Sequence, residues 1–164
     1  MQTKRISWNY AGQMTKELAR KIKPDYEPSV IIGIMNGGGL VAGLLGQYLD
    51  TKGVVCIPVK YYRSISTEPE TPTPGQVVAA NPDVRDRRIL IVDDIMDSGK
   101  TMQFAVGLFE KDADEVRTAV LNWRSNRSCI VPDYYAEEVN PYTKYVLYPW
   151  EVKPLKSLAG NSSI

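Results

Sequence analysis

Asp93, Asp94 and Asp97 stand directly before Ser98-Gly99-Lys100-Thr101. A glycine flanked by hydroxyls at a helix start would offer free backbone N–H groups and close approach to a phosphate dianion. Adjacent carboxylates suit different chemistry, accepting hydrogen bonds from vicinal hydroxyls or holding Mg²⁺ through water. The chain has no histidine, so the usual general base is missing and proton transfer would fall to carboxylates, Lys or Tyr. Asn36-Gly37-Gly38-Gly39 is a second candidate. Its glycines permit positive φ and a backbone packed against a ligand, and its N–H groups would cradle an anion.

These residues need elements to position them. Ile89-Leu90-Ile91-Val92 is apolar and mostly β-branched, and reads as a buried central strand with Asp93 and Asp94 at its end. Met102 to Phe109 follows as a helix pattern. Val30 to Met35 is another buried strand, ending in the three-glycine turn, and Leu40 to Leu49 reads as its helix. Ser7 is placed to cap a helix to about Ile22, with Trp8, Ala11, Met14, Leu18 and Ile22 on one face, and Pro24 stops it. Val54 to Tyr62 and Val116 to Trp123 are further strands, and Arg124 falls at the C-terminal edge of the second. Open α/β sheets bind ligands at the C-terminal ends of their strands. Gly37, Asp93 and Arg124 all fall there.

Residues 63–76 carry Pro69, Pro72, Pro74 and Gly75. They form no core, so a mobile surface loop is expected, with Tyr61, Tyr62 and Arg63 at its base. Val131 to Tyr135 begins a less regular segment, Tyr145 to Glu151 ends the ordered chain, and 153–164 reads as a frayed tail. The expected fold is α/β: one domain over 1–164, an open, mainly parallel sheet with helices on both faces, a small C-terminal hood and a lid loop.

Composition excludes several classes. At 164 residues and 43% hydrophobic, the chain has one domain's length and enough apolar material for a core. A net charge of +1 argues against a nucleic-acid surface as the main business. No apolar run approaches the roughly 18 residues of a membrane span. Met1 to Arg5 has no signal core behind it. Cys56 and Cys129 lie far apart without metal-ligand spacing. A cytoplasmic protein is the expectation, with neither nucleic acid nor membrane as partner.

Taken alone, Ser98 to Thr101 also fits an ordinary βα turn. A nucleoside-triphosphate loop would need a glycine where Asp94 stands. The unbroken string Ile89 to Thr101 closely resembles the signature of type I phosphoribosyltransferases, which bind 5-phosphoribosyl-1-pyrophosphate (PRPP). Ser7-Trp8-Asn9, the glycine segment and Tyr145 to Glu151 together look like the short xanthine/guanine/hypoxanthine members of that family. The resemblance implies transfer of the phosphoribosyl group to a 6-oxopurine with Mg²⁺ as cofactor. It implies that Asp93 and Asp94 hold the ribose hydroxyls and the metal, that Asp97 is the general acid/base, and that Ser98, Gly99, Lys100 and Thr101 bind the 5′-phosphate. Asn36, Gly37, Gly38 and Gly39 would bind pyrophosphate, with Gly37 where the family has Arg or Lys. Arg124 would read the six-oxo group, in place of the family's Lys. Tyr145 and Val146 would take the purine face, ahead of Pro149, Trp150 and Glu151, and Glu151 would belong to the purine site. The loop 63–76 would close over the reacting ribose, because water would capture an oxocarbenium-like intermediate. Homodimers or homotetramers are the family's assemblies. A pyrimidine-specific transferase and a non-catalytic sensor of PRPP or nucleotides remain alternatives.

Overall fold

Continuous apolar runs make strands that are covered on both faces, and the sheet here is built that way. The computed structural model describes residues 2–60, 73–74 and 83–151. Strands β2 (Val30–Met35), β3 (Gly53–Lys60), β5 (Arg88–Met96), β6 (Glu115–Trp123) and β7 (Tyr134–Glu138) run parallel in the order β3-β2-β5-β6-β7. A two-residue strand, β4 (Thr73–Pro74), pairs antiparallel with the end of β3.

Alternation along each strand divides the core in two. Helices α1 (Trp8–Ile22) and α2 (Gly37–Leu49) cover one face, over Ile31, Leu90, Val92, Ala119 and Leu121. Helix α3 (Lys100–Phe109) covers the other with Met102, Ala105 and Phe109, over Ile32, Ile89, Ile91 and Val120. Burying each such Leu or Ile contributes about 1.5–3 kcal/mol. Helices on both faces of the parallel strands are the arrangement expected from the sequence.

Ser7 caps α1 as expected, its Oγ accepting the Tyr10 backbone N–H at 3.1 Å. Ala11, Met14, Leu18 and Ile22 are buried, but Trp8 is 63% exposed. It sits in the first turn, before the helix reaches the sheet, and meets Trp150 edge-on with ring centres 5.8 Å apart.

Four local expectations change. The glycines Gly37 to Gly39 form no separate turn; they are the first turn of α2, which begins before Leu40. Strand β5 continues through Asp93 and Asp94 to Met96, because β6 still pairs with it there: Asp93 lies opposite Val120 and Met96 opposite Trp123. The segment after Val131 contains β7, a fifth parallel strand, where irregular chain was expected. The hood is a parallel pair of β1 (Gln2–Arg5) and β8 (Thr143–Leu147), so both ends of the described residues build it.

The expected lid 63–76 lies outside the described residues except for β4. Tyr61, Tyr62, Arg63 and the tail 153–164 lie outside them entirely.

Candidate active site

The site forms where two neighbouring parallel strands send their helices to opposite faces, β2 into α2 and β5 into α3. That switch point opens a crevice at the strand ends. Pairing between β2 and β5 stops at Gly33 and Val92, so Asp93 is the first β5 residue beyond the paired stretch. The start of α2 lies directly over it. A Cβ on Gly38 would overlap the Val92 carbonyl and come within 2.8 Å of Asp93 Cα, and a Cβ on Gly37 would overlap Asp94 Oδ2. The glycines let backbone meet backbone and carboxylate, which no larger residue permits.

Asp93 and Asp94 are half-buried neighbours. Burial, then the Asp94 charge, pushes the Asp93 carboxyl well above its ordinary value; backbone N–H groups of Asp94 and Gly38 pull the other way. Asp94 N donates to Asp93 Oδ1 at 2.8 Å. Asp94 is raised too, chiefly by burial, against the Trp150 indole N–H, which donates to Oδ2 at 2.8 Å. Two acids under-compensated in this way gain from a cation or from hydroxyl donors.

Two clefts meet at Asp93 and Thr101. One, of about 100 Å³, is lined by Asp97, Ser98, Gly99 and Thr101 at the start of α3. The other, of about 470 Å³, is lined by Asn36, Gly37, Asp94, Trp150 and Glu151. Neither α2 nor α3 has a side-chain hydrogen bond at its N-cap. Gly99 has φ of +80°, and a Cβ there would lie 2.7 Å from Ser128 Oγ and 3.0 Å from Ile130 Cγ1. Cys129 N donates to Ser98 O at 2.9 Å, so the 128–130 segment packs against this turn. Gly99 thus serves both the turn and its packing. Lys100 is exposed in the first turn of α3. A hollow of about 500 Å³ along α1, lined by Tyr10, Lys16, Glu17 and Arg20, is open, of mixed charge and contains none of the motif residues.

Asp97 Oδ1 stands between two guanidinium groups, 3.4 Å from Arg124 Nε and 3.2 Å from Arg127 Nε. Arg127 was not singled out by the sequence, although it follows Arg124 by one turn and its N–H donates to Arg124 O. Arg124 is buried. Its Nη1 donates to Thr143 O at 2.7 Å and its Nη2 to Lys144 O at 3.2 Å. It therefore ties the end of β6 to the hood just before Tyr145. Tyr145 is 54% exposed, whereas Val146 packs against the core. Consecutive residues of a strand face opposite ways, so the two do not share one surface. The Glu151 carboxylate accepts the Tyr148 N–H at 3.1 Å and borders the larger cleft.

Among the described residues no three His, Cys, Asp or Glu side chains gather into a metal cage. Two adjacent carboxylates do suit Mg²⁺, which usually keeps several waters and uses few protein ligands alongside substrate phosphates. Among the described residues no helix is long and apolar enough to cross a membrane.

Comparison with known proteins agrees with this geometry. Residues 8–153 match the model of the phosphoribosyl transferase domain. The chain is 26% identical to a hypoxanthine-guanine phosphoribosyltransferase of Schizosaccharomyces pombe, over 92% of this chain and 89% of that one. It is 24% identical to a xanthine-guanine phosphoribosyltransferase of Idiomarina loihiensis, over 96% and 94%. Among solved structures, a purine phosphoribosyltransferase from Pyrococcus horikoshii superposes with a TM-score of 0.81 at 31% identity, covering 95% of this chain and 99% of that one. Paired acids at the end of a central strand, between two uncapped glycine-bearing helix starts, on a chain that matches the domain nearly end to end, make this protein a member of the phosphoribosyltransferase family.

Proposed function

We propose that the protein transfers the 5-phosphoribosyl group of PRPP to a 6-oxopurine, releasing pyrophosphate and forming a nucleoside 5′-monophosphate in purine salvage. One observation carries this reading: two clefts, one at each uncapped helix start, meet at Asp93 and Thr101. A substrate with a phosphate at each end of a ribose matches that pairing. Ser98, Gly99, Lys100 and Thr101 take the 5′-phosphate. Asn36 and Gly37 to Gly39 take the pyrophosphate. Asp93 and Asp94 accept the ribose hydroxyls, and their raised proton affinity favours donors at that place. Mg²⁺, held beside Asp93 and Asp94, would neutralise the leaving pyrophosphate. Asp97 exchanges a proton with the purine imidazole edge. Catalysis then rests on positioning and charge stabilisation.

On the base side, Tyr145 offers an exposed ring for stacking, worth ~1–3 kcal/mol by analogy with base–aromatic contacts. Val146 and Glu151 border the same segment. Arg124 has guanidinium hydrogens beyond those given to Thr143 and Lys144, and these favour an oxo acceptor over an amino donor. A homodimer or homotetramer belongs to this reading. The exposed Leu40, Leu44 and Tyr48, spaced along one face of α2, support it.

The test is pyrophosphate release with Mg²⁺, PRPP and a panel of hypoxanthine, guanine, xanthine, adenine, uracil and orotate. A 6-oxopurine should be the best substrate. Adenine, uracil or orotate as the best would overturn the base assignment, and no release with any base would overturn the transferase reading.

A further inference from the structure

The molecule contains two buried or half-buried indoles near the strand ends, and they differ. Trp123 stacks obliquely on Tyr135, and its Nε1 has no hydrogen-bond partner among the described residues. Trp150 stacks flat on Tyr148, with ring centres 4.8 Å apart and planes 10° apart, but its Nε1 donates to Asp94 Oδ2 at 2.8 Å. The neighbouring Tyr148 is buried, and its hydroxyl lies 2.8 Å from the backbone carbonyl of the same Asp94 and 2.6 Å from Asn122 Oδ1. One short segment therefore grips one acid twice, once at the main chain and once at the side chain. Gly37 leaves the room for that grip, since a Cβ there would overlap the carboxylate and come within 2.8 Å of the indole nitrogen.

We propose that Trp150 is a positioning residue: its indole N–H sets the direction of the Asp94 carboxylate, and through Tyr148–Trp150 the base-side hood is coupled to the ribose-side acids. This rests on the PRPP reading above. A tryptophan that only packed would have no need to aim Nε1 at an acid. The coupling follows from connectivity. Tyr145, the stacking candidate, precedes Tyr148 on the same extended segment, and Arg124 anchors that segment at Thr143 and Lys144. Displacement of the hood by a base is thereby felt at Asp94, and ordering of Asp94 by a ribose is felt at the hood.

Trp150→Phe separates the roles, because it keeps a ring on Tyr148 and removes the donor. In ligand-free protein, the Trp150 indole N–H proton resonance, assigned by its loss in Trp150→Phe, should move upfield in Asp94→Asn. By calorimetry with Mg²⁺ and PRPP, Trp150→Phe should bind about tenfold more weakly, the scale of one hydrogen bond to a charged group. In an Asp94→Ala background, or Asp94→Asn should the alanine variant unfold, the same change should cost less than about twofold, since contacting residues are non-additive. Trp8→Phe, which keeps the edge-on ring, should leave the affinity unchanged. An unmoved resonance in Asp94→Asn overturns the proposal. So does a Trp150→Phe penalty that is equal in both backgrounds, which is the mark of packing alone. A wild-type protein that neither binds nor turns over PRPP overturns the functional reading instead, and the resonance then decides the Trp150–Asp94 link by itself.

Discussion

The start of α1 and the start of α3 solve the same problem in opposite ways. Every helix leaves its first backbone N–H groups without intrahelical partners. At α1 the chain answers with its own side chain, as Ser7 Oγ takes the Tyr10 N–H. At α3 the N-cap is Gly99, which has no side chain to give, and α2 likewise starts without a side-chain cap at Asn36. A capped start is typically worth ~0.5–2 kcal/mol of stability. Both helices that border the acidic crevice forgo it, while the helix that only packs retains it. Glycines at these two helix starts are squeezed against Val92, Asp93, Asp94 and Ser128. Instead the Gly38 N–H at the start of α2 turns to the Asp93 carboxylate, and the Lys100 N–H at the start of α3 meets Ser98 Oγ only at 3.4 Å.

The contrast is sharpest in the turn preceding α3. Asp97→Asn should lower kcat by ~10²–10⁴-fold, the range of a positioned acid/base, with the fold intact. Steady-state pyrophosphate release on wild type and variant checks it; near-wild-type turnover would make Asp97 structural only.

Asp93→Asn should separate stability from binding. Affinity for PRPP with Mg²⁺ should fall roughly ten- to hundredfold, the loss of a charge-assisted hydrogen bond. Stability should move the other way. Burial and Asp94 raise the folded-state proton affinity of Asp93 above its ordinary value of 3.8. The folded state therefore keeps a proton that the unfolded state has lost, and stability falls as pH rises from that value through the raised one. The Asn variant should melt higher than wild type at neutral pH and equally below about pH 4, where both forms are uncharged. Melting curves across pH, with calorimetry alongside, test both halves.

Gly99→Ala should destabilise the fold by about 1–3 kcal/mol, from a left-handed backbone now carrying a Cβ, with additional crowding against Ser128 and Ile130. Urea unfolding measures it. A neutral result would mean that this turn relaxes freely and is not built for a ligand. Ser7→Ala completes the comparison with the smallest effect. It should cost about 1 kcal/mol of stability and leave PRPP affinity untouched. A loss of affinity there would erase the distinction between the two kinds of helix start.

Legibility from sequence followed the strength of local signals. Val30 to Met35 and Ile89 to Val92 are long apolar runs, and burial on two faces demands such runs. The string from Ile89 to Thr101 was legible as the family's signature because an apolar run, three acids and a glycine-bearing turn fall together in one unbroken stretch. β1 and β7 were not. Gln2-Thr3-Lys4-Arg5 is wholly polar, and Tyr134 to Glu138 carries two glutamates. Peripheral strands such as these are held by backbone pairing and context more than by apolar pattern.

The sequence by itself determined the layered α/β fold, the acidic strand end, the helix start at Gly99 and the phosphoribosyltransferase family, because each depends on residues adjacent in the chain. Only the tertiary structure decided what Asp94, Arg124 and Trp150 touch. Asp94 and Trp150 meet across a gap opened by Gly37; Arg124 reaches from β6 to Asp97 and to the carbonyls of the hood. Those contacts join residues far apart in sequence, and the choice among several partners for one donor is made by how the strands and the hood pack.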